Sequence, residues 1–217
     1  PMSGAVIQEG LTNGTIDLAY VSGMEMIKAD SVADLLLATK IKGKTSYESY
    51  WVTLKEKPYK SIAELKGKPI AFASRTSTSG YLIPVHDLVK RNLLTANANP
   101  ESFFGKGNVS FGTGYVSAIE KVLNGQAEAA AVSDYVILGD KHLTPEQKSK
   151  LVVLQAQGPV PSHILAVRKK LKEVLLSLNS NTSLRDRLFT AELATTTKEQ
   201  QLQNLKDALK KTGIQFE

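Results

Sequence analysis

The sequence has no cysteine, few histidines and no long apolar run. The absence of cysteine excludes a disulfide scaffold, a thiolate metal site and a cysteine nucleophile. The three histidines, His86, His142 and His163, stand in no metal-ligand spacing, so we expect neither a metal site nor a cofactor. No apolar run approaches the roughly 18 residues that cross a bilayer, so no membrane span is predicted.

The composition that remains is that of an ordinary folded protein. Apolar residues make up 42% and charged residues 22% of the 217 residues, which argues against disorder and allows one large domain or two smaller lobes. The formal net charge of +6 is mild and scattered. It favours a solvated basic surface that attracts small anions, and we expect no nucleic-acid partner.

Helical and strand patterns alternate along the chain. Helical spacing is found at Ala5–Asn13, Ser79–Leu94, Val116–Leu123 and in the tail, where Thr197 and Gln200 form a capping box. Short apolar runs predict strands at Ile16–Val21, Tyr50–Leu54, Pro69–Ala73, Ala127–Val132, Leu151–Leu154 and Ile164–Val167. This alternation predicts an α/β protein with mostly parallel sheets.

A short internal repeat indicates two lobes. NGTIDLAYVS at residues 13–22 and NGQAEAAAVS at residues 124–133 are identical at half of their positions, and each follows an amphipathic helix. Because ligands of open parallel sheets bind at the carboxyl ends of strands, the strand ends near Ser22 and Asp134 are candidates for lining a shared cleft. We expect residues 1–54 and 160–217 to form lobe 1 and residues 55–159 to form lobe 2. The expected hinge has two crossings, at Val52–Pro58 and Gln157–Ser162.

A hydroxyl-rich run, SRTSTSG at residues 74–80, lies between a predicted strand and a predicted helix. The start of a helix leaves backbone N–H groups unpaired and carries a partial positive charge. The hydroxyls of Ser77, Thr78 and Ser79 beside those groups therefore predict a binding site for a tetrahedral oxyanion on lobe 2. The alternative is an ordinary Ser/Thr helix cap.

The same run gives little support for catalysis. The phosphate-loop pattern G-x-x-x-x-G-K-[ST] is absent, and neither G-x-S-x-G nor S-x-x-K surrounds the three hydroxyls. We therefore expect a protein that binds its ligand without transforming it. A phosphoryl-transfer or hydrolytic enzyme that uses Ser77–Ser79 is the enzymatic alternative.

A longer segment carries a resemblance to a known family. YESYWVTLKEKPYKSIAELKGKPIAFASRTSTSGYLIP at residues 47–84 resembles the phosphate-, phosphite- and phosphonate-binding proteins of ABC importers, the PhnD-like family. Both repeat segments also resemble the paired lobes of that family, so the likeness spans most of residues 5–170. The resemblance implies a two-lobed type II periplasmic-binding-protein fold that closes on an oxyanion.

The resemblance also implies roles for individual residues. Ser77, Thr78 and Ser79 would donate hydrogen bonds to phosphoryl oxygens, and Tyr47 would donate from the opposite lobe; a core aromatic at a strand edge is the alternative for Tyr47. Tyr115 stands where many relatives have a ligand-binding histidine, and a phenol can still donate to an oxyanion.

Two further positions depart from the family pattern. His163 stands where relatives usually have an aspartate, so it either donates to the ligand as an imidazole or packs as a neutral side chain. Asp134 or His163 would set the preferred protonation state of the ligand. Ser22 follows Val21, where many relatives have an aromatic residue, and is a further binding candidate.

The sequence thus predicts an extracytoplasmic solute-binding component, in the periplasm or at the cell surface, that delivers a phosphonate, phosphite or phosphate to the membrane permease of an ABC importer. The alternatives are an importer component for a sulfonate or sulfate, and the sensor ectodomain of a signalling protein. Relatives carry an opening β-α-β stretch before the segment that matches Ala5–Asn13. Without that stretch a sheet edge would be exposed, which predicts lower stability or a partner at that edge.

Overall fold

The computed structural model describes residues 4–41, 43–167, 172–188 and 192–214. The chain divides into two compact units. Pro1–Tyr47 and Pro161–Lys206 form the first unit, and Glu48–Val160 and Asp207–Glu217 form the second. The chain passes from one unit to the other three times, and the third passage lies within the last helix.

The strands and helices of the described residues alternate as the sequence predicts. The strands are β1 (Leu18–Val21), β2 (Leu35–Lys40), β3 (Ser46–Leu54), β4 (Ile70–Phe72), β5 (Val109–Phe111), β6 (Ala129–Ser133), β7 (Leu151–Pro161), β8 (Ile164–Val167) and β9 (Glu192–Thr195). The α-helices are α1 (Gly4–Asn13), α2 (Gly23–Lys28), α3 (Ile83–Lys90), α4 (Glu101–Phe104), α5 (Tyr115–Leu123), α6 (Asp134–Leu138), α7 (Pro145–Lys150), α8 (Lys172–Ser177), α9 (Thr182–Leu188) and α10 (Lys198–Thr212). Short 3₁₀ turns lie at Ile62–Leu65 and Leu178–Ser180, and a π-helical turn lies at Thr78–Leu82.

The first unit contains a four-stranded sheet with the order β1-β8-β2-β9. The strand β8 pairs antiparallel with both β1 and β2, and β2 pairs antiparallel with β9. The centre of this sheet is apolar, since Leu37 and Ile164 are fully buried. Within the described residues, β1 forms one edge of the sheet.

The second unit contains a five-stranded sheet with the order β5-β4-β6-β3-β7. The strand β4 pairs parallel with both β5 and β6, whereas β3 pairs antiparallel with β6. Trp51 on β3 packs against Phe72 and Phe104, with ring centroids 5.5 and 5.7 Å away, and all three are fully buried. Burial of each such side chain stabilises the fold by about 2–3 kcal/mol, so this aromatic cluster anchors the sheet that carries the candidate site.

The two-unit α/β class is confirmed, and the strand directions are more mixed than predicted. Parallel pairing is found at β5-β4-β6, but the described pairs of the four-stranded sheet are antiparallel. The reason is that β8 returns from the second unit and runs between β1 and β2 in the opposite direction to both. An apolar run of a few residues reports burial and carries no information about strand direction.

The unit boundaries differ from the predicted lobe bounds at residues 48–54, at Val160 and at residues 207–217. Residues 48–54 belong with the second unit because β3 pairs with β6 from Ser49 to Thr53. The C-terminal stretch belongs there because Ile214 packs against the aromatic cluster of that unit. The first crossing lies between Tyr47 and Glu48 rather than within Val52–Pro58, and the second lies within the expected Gln157–Ser162. A third crossing, which the sequence did not predict, lies within α10.

Candidate functional site

Three connections of the second unit meet at one edge of its sheet. Because β4, β5 and β6 are parallel, their carboxyl ends lie on the same side, as in other open parallel sheets. The hydroxyl-rich run follows β4, Tyr115 begins α5 after β5, and Asp134 begins α6 after β6. The fold thus brings to one edge the candidate residues that the sequence predicts for the second unit.

The hydroxyl-rich run forms a capped turn at the start of a helix. The hydroxyl oxygen of Ser77 accepts a hydrogen bond of 2.9 Å from the backbone N–H of Gly80. The N–H of Leu82 donates to the carbonyl of Ser77 at 3.1 Å, five residues back, so the turn is π-helical and α3 begins only at Ile83. The predicted helix over Ser79–Leu94 is therefore shorter, with a wider first turn, and ends at Lys90.

Two of the three hydroxyls of the turn contact the phenol of Tyr115. The oxygen of Ser79 lies 2.7 Å from the phenol oxygen, and the hydroxyl of Ser77 donates to the same oxygen at 3.4 Å. The ring of Tyr115 packs edge-on against Tyr135 at a centroid distance of 5.7 Å. The structure therefore joins residues 77, 79 and 115 into one cluster of neutral hydrogen-bonding groups.

Thr78 is the most unusual member of the turn. Its side chain is 3% exposed, and its buried hydroxyl oxygen has no hydrogen-bond partner among the described residues. A buried hydroxyl normally finds a partner, because leaving it unpaired costs about 1–3 kcal/mol. An unsatisfied hydroxyl within an otherwise bonded turn is a group that a bound ligand can satisfy.

Gly80 is required by close packing around the turn. A β-carbon at this position would lie 2.4 Å from the Ala73 side chain, 2.8 Å from the Ser77 hydroxyl and 3.1 Å from the Tyr115 ring. The carbonyl of Gly80 also accepts a hydrogen bond of 3.1 Å from the N–H of Ala73. The glycine therefore lets the end of β4, the turn and Tyr115 approach one another.

Two buried residues that sequence reasoning missed support this turn, one directly and one through the other. Ser49 on β3 donates from its hydroxyl to the carbonyl of Ser79 at 2.6 Å, and Gln157 on β7 donates from its side-chain amide to the Ser49 hydroxyl at 2.8 Å. Both lie far from the turn along the chain and in no recognisable motif. The only local signal is Pro84, which cannot supply a backbone donor to the turn.

Asp134 is held by its own neighbourhood. One carboxylate oxygen accepts a hydrogen bond of 3.1 Å from the N–H of Glu48, and the other accepts one of 3.3 Å from the Ser133 hydroxyl. Burial raises the pKa of the nearby Tyr50 phenol, and the carboxylates of Glu48 and Asp134 raise it further. A negative charge therefore stands at the same strand edge as the hydroxyl cluster.

The remaining candidates belong to the first unit. Ser22 caps α2: its hydroxyl accepts from the N–H of Glu25 at 3.3 Å, and the Glu25 carboxylate accepts from the N–H of Ser22 at 2.7 Å. Tyr47 is half-buried on β3, at the boundary of that unit. The structure thus gives Ser22 a capping function, and binding roles for Ser22 and Tyr47 stay predictions.

His163 stacks on an exposed aromatic side chain of the first unit. Its ring lies parallel to that of Tyr20, with an angle of 6° and a centroid distance of 4.9 Å. Burial lowers the pKa of His163, and the carboxylate of Glu25 opposes this shift. The neutral imidazole is therefore favoured near neutral pH, and its role toward a ligand stays a prediction.

Within the described part of the chain, no His, Asp and Glu side chains gather in a group that could hold a metal ion. The helices in the same ranges include none with the length and apolar character needed to span a membrane. Among the described residues, the candidate site therefore consists of neutral hydroxyl donors, one carboxylate and backbone amides.

Two α/β units, with hydroxyls gathered at the carboxyl ends of parallel strands, define the class of type II periplasmic-binding-protein folds. Residues 3–215 match the family described as "ABC transporter, phosphonate, periplasmic substrate-binding protein". The chain belongs to this family of transporter components, whose members bind solutes.

Solved structures have the same fold at low sequence identity. The Xanthomonas citri protein XAC2383, solved with bound chloride ion, is 20% identical and superposes with a TM-score of 0.81 over 97% of this chain and 83% of its own. PhnD1 from Prochlorococcus marinus, in complex with methylphosphonate, is 19% identical, with a TM-score of 0.80 over 99% of this chain and 85% of its own. The aliphatic sulphonate binding protein SsuA from Escherichia coli is 17% identical and less similar, with a TM-score of 0.58 over 97% of this chain and 62% of its own.

Proposed function

We propose that this protein is the solute-binding component of an ABC importer for a phosphorus oxyanion: a phosphonate, phosphite or phosphate. It captures the anion outside the cytoplasmic membrane, at the turn that contains Ser77, Thr78 and Ser79, and delivers it to a membrane permease. The observation that carries the proposal is the contact of the Ser77 and Ser79 hydroxyls with the Tyr115 phenol, beside a Thr78 hydroxyl that has no hydrogen-bond partner in the described part of the chain.

The hydrogen-bonding groups of the turn suit a tetrahedral anion. Each hydroxyl can donate one hydrogen bond, and the first turn of a helix adds backbone N–H groups and a partial positive charge. Hydrogen bonds to a charged oxygen are stronger than those between neutral groups. Several neutral donors therefore supply affinity without a cation that would hold the anion too tightly for release.

Two charged side chains lie at the same strand edge as the turn, and the second bears on the form of the ligand. The guanidinium carbon of Arg75 lies 4.4 Å from the centre of the Phe111 ring, in a cation–π contact. The carboxylate of Asp134, at the same strand edge, would repel a fully charged anion. It would therefore favour a ligand that carries a proton or a cationic substituent.

We propose no chemical step at this site. A serine nucleophile needs an adjacent base, whereas the Ser77 and Ser79 hydroxyls contact the phenol of Tyr115, and the Ser77 hydroxyl also accepts from the N–H of Gly80. Tyr47, Ser22 and His163 are proposed as additional ligand contacts on the strength of the family resemblance alone. Alanine variants at these three positions test each contact separately.

Calorimetry with methylphosphonate, phosphite, phosphate and sulfate tests the proposal. We expect saturable binding of at least one phosphorus oxyanion, with the heat of binding strongly reduced in Ser79→Ala. The matched control is Ser61→Ala, which removes an exposed hydroxyl that contacts Glu64 in the same unit. Tight binding of sulfate with no response to any phosphorus ligand would reject the proposal in favour of a sulfur oxyanion.

A further inference from the structure

The i+5 backbone hydrogen bonds of the π-helical turn cannot continue at Ser79. The carbonyls of Ser77 and Thr78 accept from the N–H groups of Leu82 and Ile83, each five residues later. The residue five after Ser79 is Pro84, which has no N–H. Because Ser79 is fully buried, an unpaired carbonyl here would cost about 1–3 kcal/mol.

A side chain from another strand donates to this carbonyl. The hydroxyl of Ser49 donates to the Ser79 carbonyl at 2.6 Å, and the side-chain amide of Gln157 donates to the Ser49 oxygen at 2.8 Å. Ser49 is fully buried and Gln157 is 6% exposed. The three residues form a chain of directed hydrogen bonds from β7 through β3 to the turn, which we call the Gln157–Ser49 relay.

The relay acts on the residue that also contacts Tyr115. The carbonyl of Ser79 is held by Ser49, and the hydroxyl of the same residue lies 2.7 Å from the Tyr115 phenol oxygen. Hydrogen bonds at both ends of one residue restrict the orientation of its side chain. A donor that is already oriented loses less conformational freedom when a ligand binds.

We propose that Ser49 and Gln157 are positioning residues that set the affinity of the turn for its ligand by orienting Ser79. This inference rests on the proposed function. Gln157 itself supports a role beyond packing, because its side-chain oxygen is buried with no hydrogen-bond partner among the described residues. A buried amide with one unsatisfied atom is costly, and an apolar side chain would fill the same space without that cost.

Ser49→Ala tests the relay by removing the donor to the Ser79 carbonyl. We expect the affinity for the phosphorus oxyanion bound by the unmodified chain to fall by about tenfold, the effect of one hydrogen bond. Gln157→Leu, which leaves the Ser49 hydroxyl in place but unsupported, should give a smaller loss in the same direction. Unchanged affinity in both variants would overturn the proposal.

The matched control is Thr53→Val on the same strand. The hydroxyl of Thr53 is also fully buried and also donates to a backbone carbonyl, that of Glu128, at 2.7 Å. Glu128 precedes β6, at the opposite end of that strand from Asp134. Thr53→Val should lower the stability of the protein as Ser49→Ala does, but should leave the ligand affinity unchanged. An equal loss of affinity in both variants would show that any disturbance of strand β3 weakens binding.

Restoring the backbone N–H that Pro84 lacks distinguishes the relay from a general structural effect. In the double variant Ser49→Ala with Pro84→Ala, residue 84 regains an N–H five residues after Ser79. We expect this N–H to pair with the Ser79 carbonyl and to restore most of the lost affinity. Additive losses from the two substitutions would contradict the relay.

A second measurement separates failure of this inference from failure of the proposed function. The carbonyl ¹³C shift of Ser79 in ligand-free protein reports its hydrogen bond directly. It should move in Ser49→Ala and return in the double variant, whether or not any phosphorus oxyanion binds. If no such ligand binds the unmodified chain, the proposed function fails; if the shift stays constant across the variants, the relay fails.

Discussion

The hydroxyl oxygen of Ser79 lies 2.7 Å from the phenol oxygen of Tyr115, and either group can be the donor. Two hydroxyls in contact use only one of their two hydrogens in the shared bond. The other hydrogen does not take part in the shared bond and can point toward a different acceptor. A pair of this kind can therefore hold its geometry without a ligand and still donate to an oxyanion.

Tyr115→Phe should weaken binding of the phosphorus oxyanion by about tenfold, because it removes one hydrogen bond to a charged oxygen and releases the Ser79 hydroxyl. Calorimetry measures the loss. Tyr59→Phe is the control, since the Tyr59 hydroxyl donates to the Glu128 carboxylate at 3.0 Å, away from the turn. Equal affinity in Tyr115→Phe and the unmodified chain would remove Tyr115 from the site.

Ser77→Ala should lower the free energy of unfolding by about 1 kcal/mol, the usual cost of losing a helix cap, and should also weaken ligand binding. Thr144→Ala is a matched control, because the Thr144 hydroxyl caps α7 by accepting from the N–H of Gln147 at 3.1 Å. Urea unfolding should give similar losses for the two variants. If calorimetry finds the same affinity for the phosphorus oxyanion in Ser77→Ala as in Thr144→Ala, Ser77 acts only as a helix cap.

Gly80→Ala should be strongly destabilising, since the added methyl group would meet Ala73, Ser77 and Tyr115. Overpacking of this kind costs about 1–3 kcal/mol and should displace the ligand donors as well. Gly114→Ala is the control: a β-carbon there meets nothing within 4 Å, and the backbone is extended. Thermal unfolding compares the two, and a Gly80→Ala variant as stable as Gly114→Ala would contradict the packing described for the turn.

The half-buried His163 should make the protein less stable in mild acid. Because burial lowers its pKa in the folded state, its contribution to stability is complete above the ordinary pKa of about 6.5 and is lost as pH falls through that value toward the folded pKa. His163→Gln should flatten this part of the dependence of urea unfolding on pH.

His86→Gln provides the comparison for that measurement. Burial lowers the pKa of His86, and Lys211 and Lys90 lower it further, while Asp87 and Asp207 oppose the shift. Protonation of His86 should therefore also reduce the free energy of unfolding as the pH falls. Each single variant should remove part of the acid slope, and the double variant should remove more than either. An acid slope that His163→Gln leaves intact would show that the partial burial of His163 has no energetic consequence.

Local patterns in the sequence predicted much of the second unit. Hydroxyls between a strand and a helix indicated the turn at Ser77–Ser79, and the apolar runs that became β4 and β6 indicated its supporting strands. These predictions hold because capping, strand burial and helix periodicity depend on neighbours within a few residues. The π-helical turn was missed, and the close packing of Gly80 against Ala73 and Tyr115 that accompanies it is not visible in the local sequence.

Contacts between distant segments could not be predicted in the same way. Ser49 and Gln157 are separated from the turn by many residues and have no motif, so only the order of strands in the sheet brings them to Ser79. The antiparallel direction of β8 and the return of the C-terminal residues to the second unit have the same origin. Each depends on the path of the connection between two apolar segments, and the residues of the segments do not specify that path.

The amino-acid sequence by itself determined the α/β class, the family and the position of the hydroxyl-rich turn, because these follow from residue types and short spacings. Only the tertiary structure decided which hydroxyls meet, which carbonyl needs a donor and which strand supplies it. Hydrogen bonds are sensitive to distances of a few tenths of an ångström, and such distances are set when β3, β7 and the turn pack together.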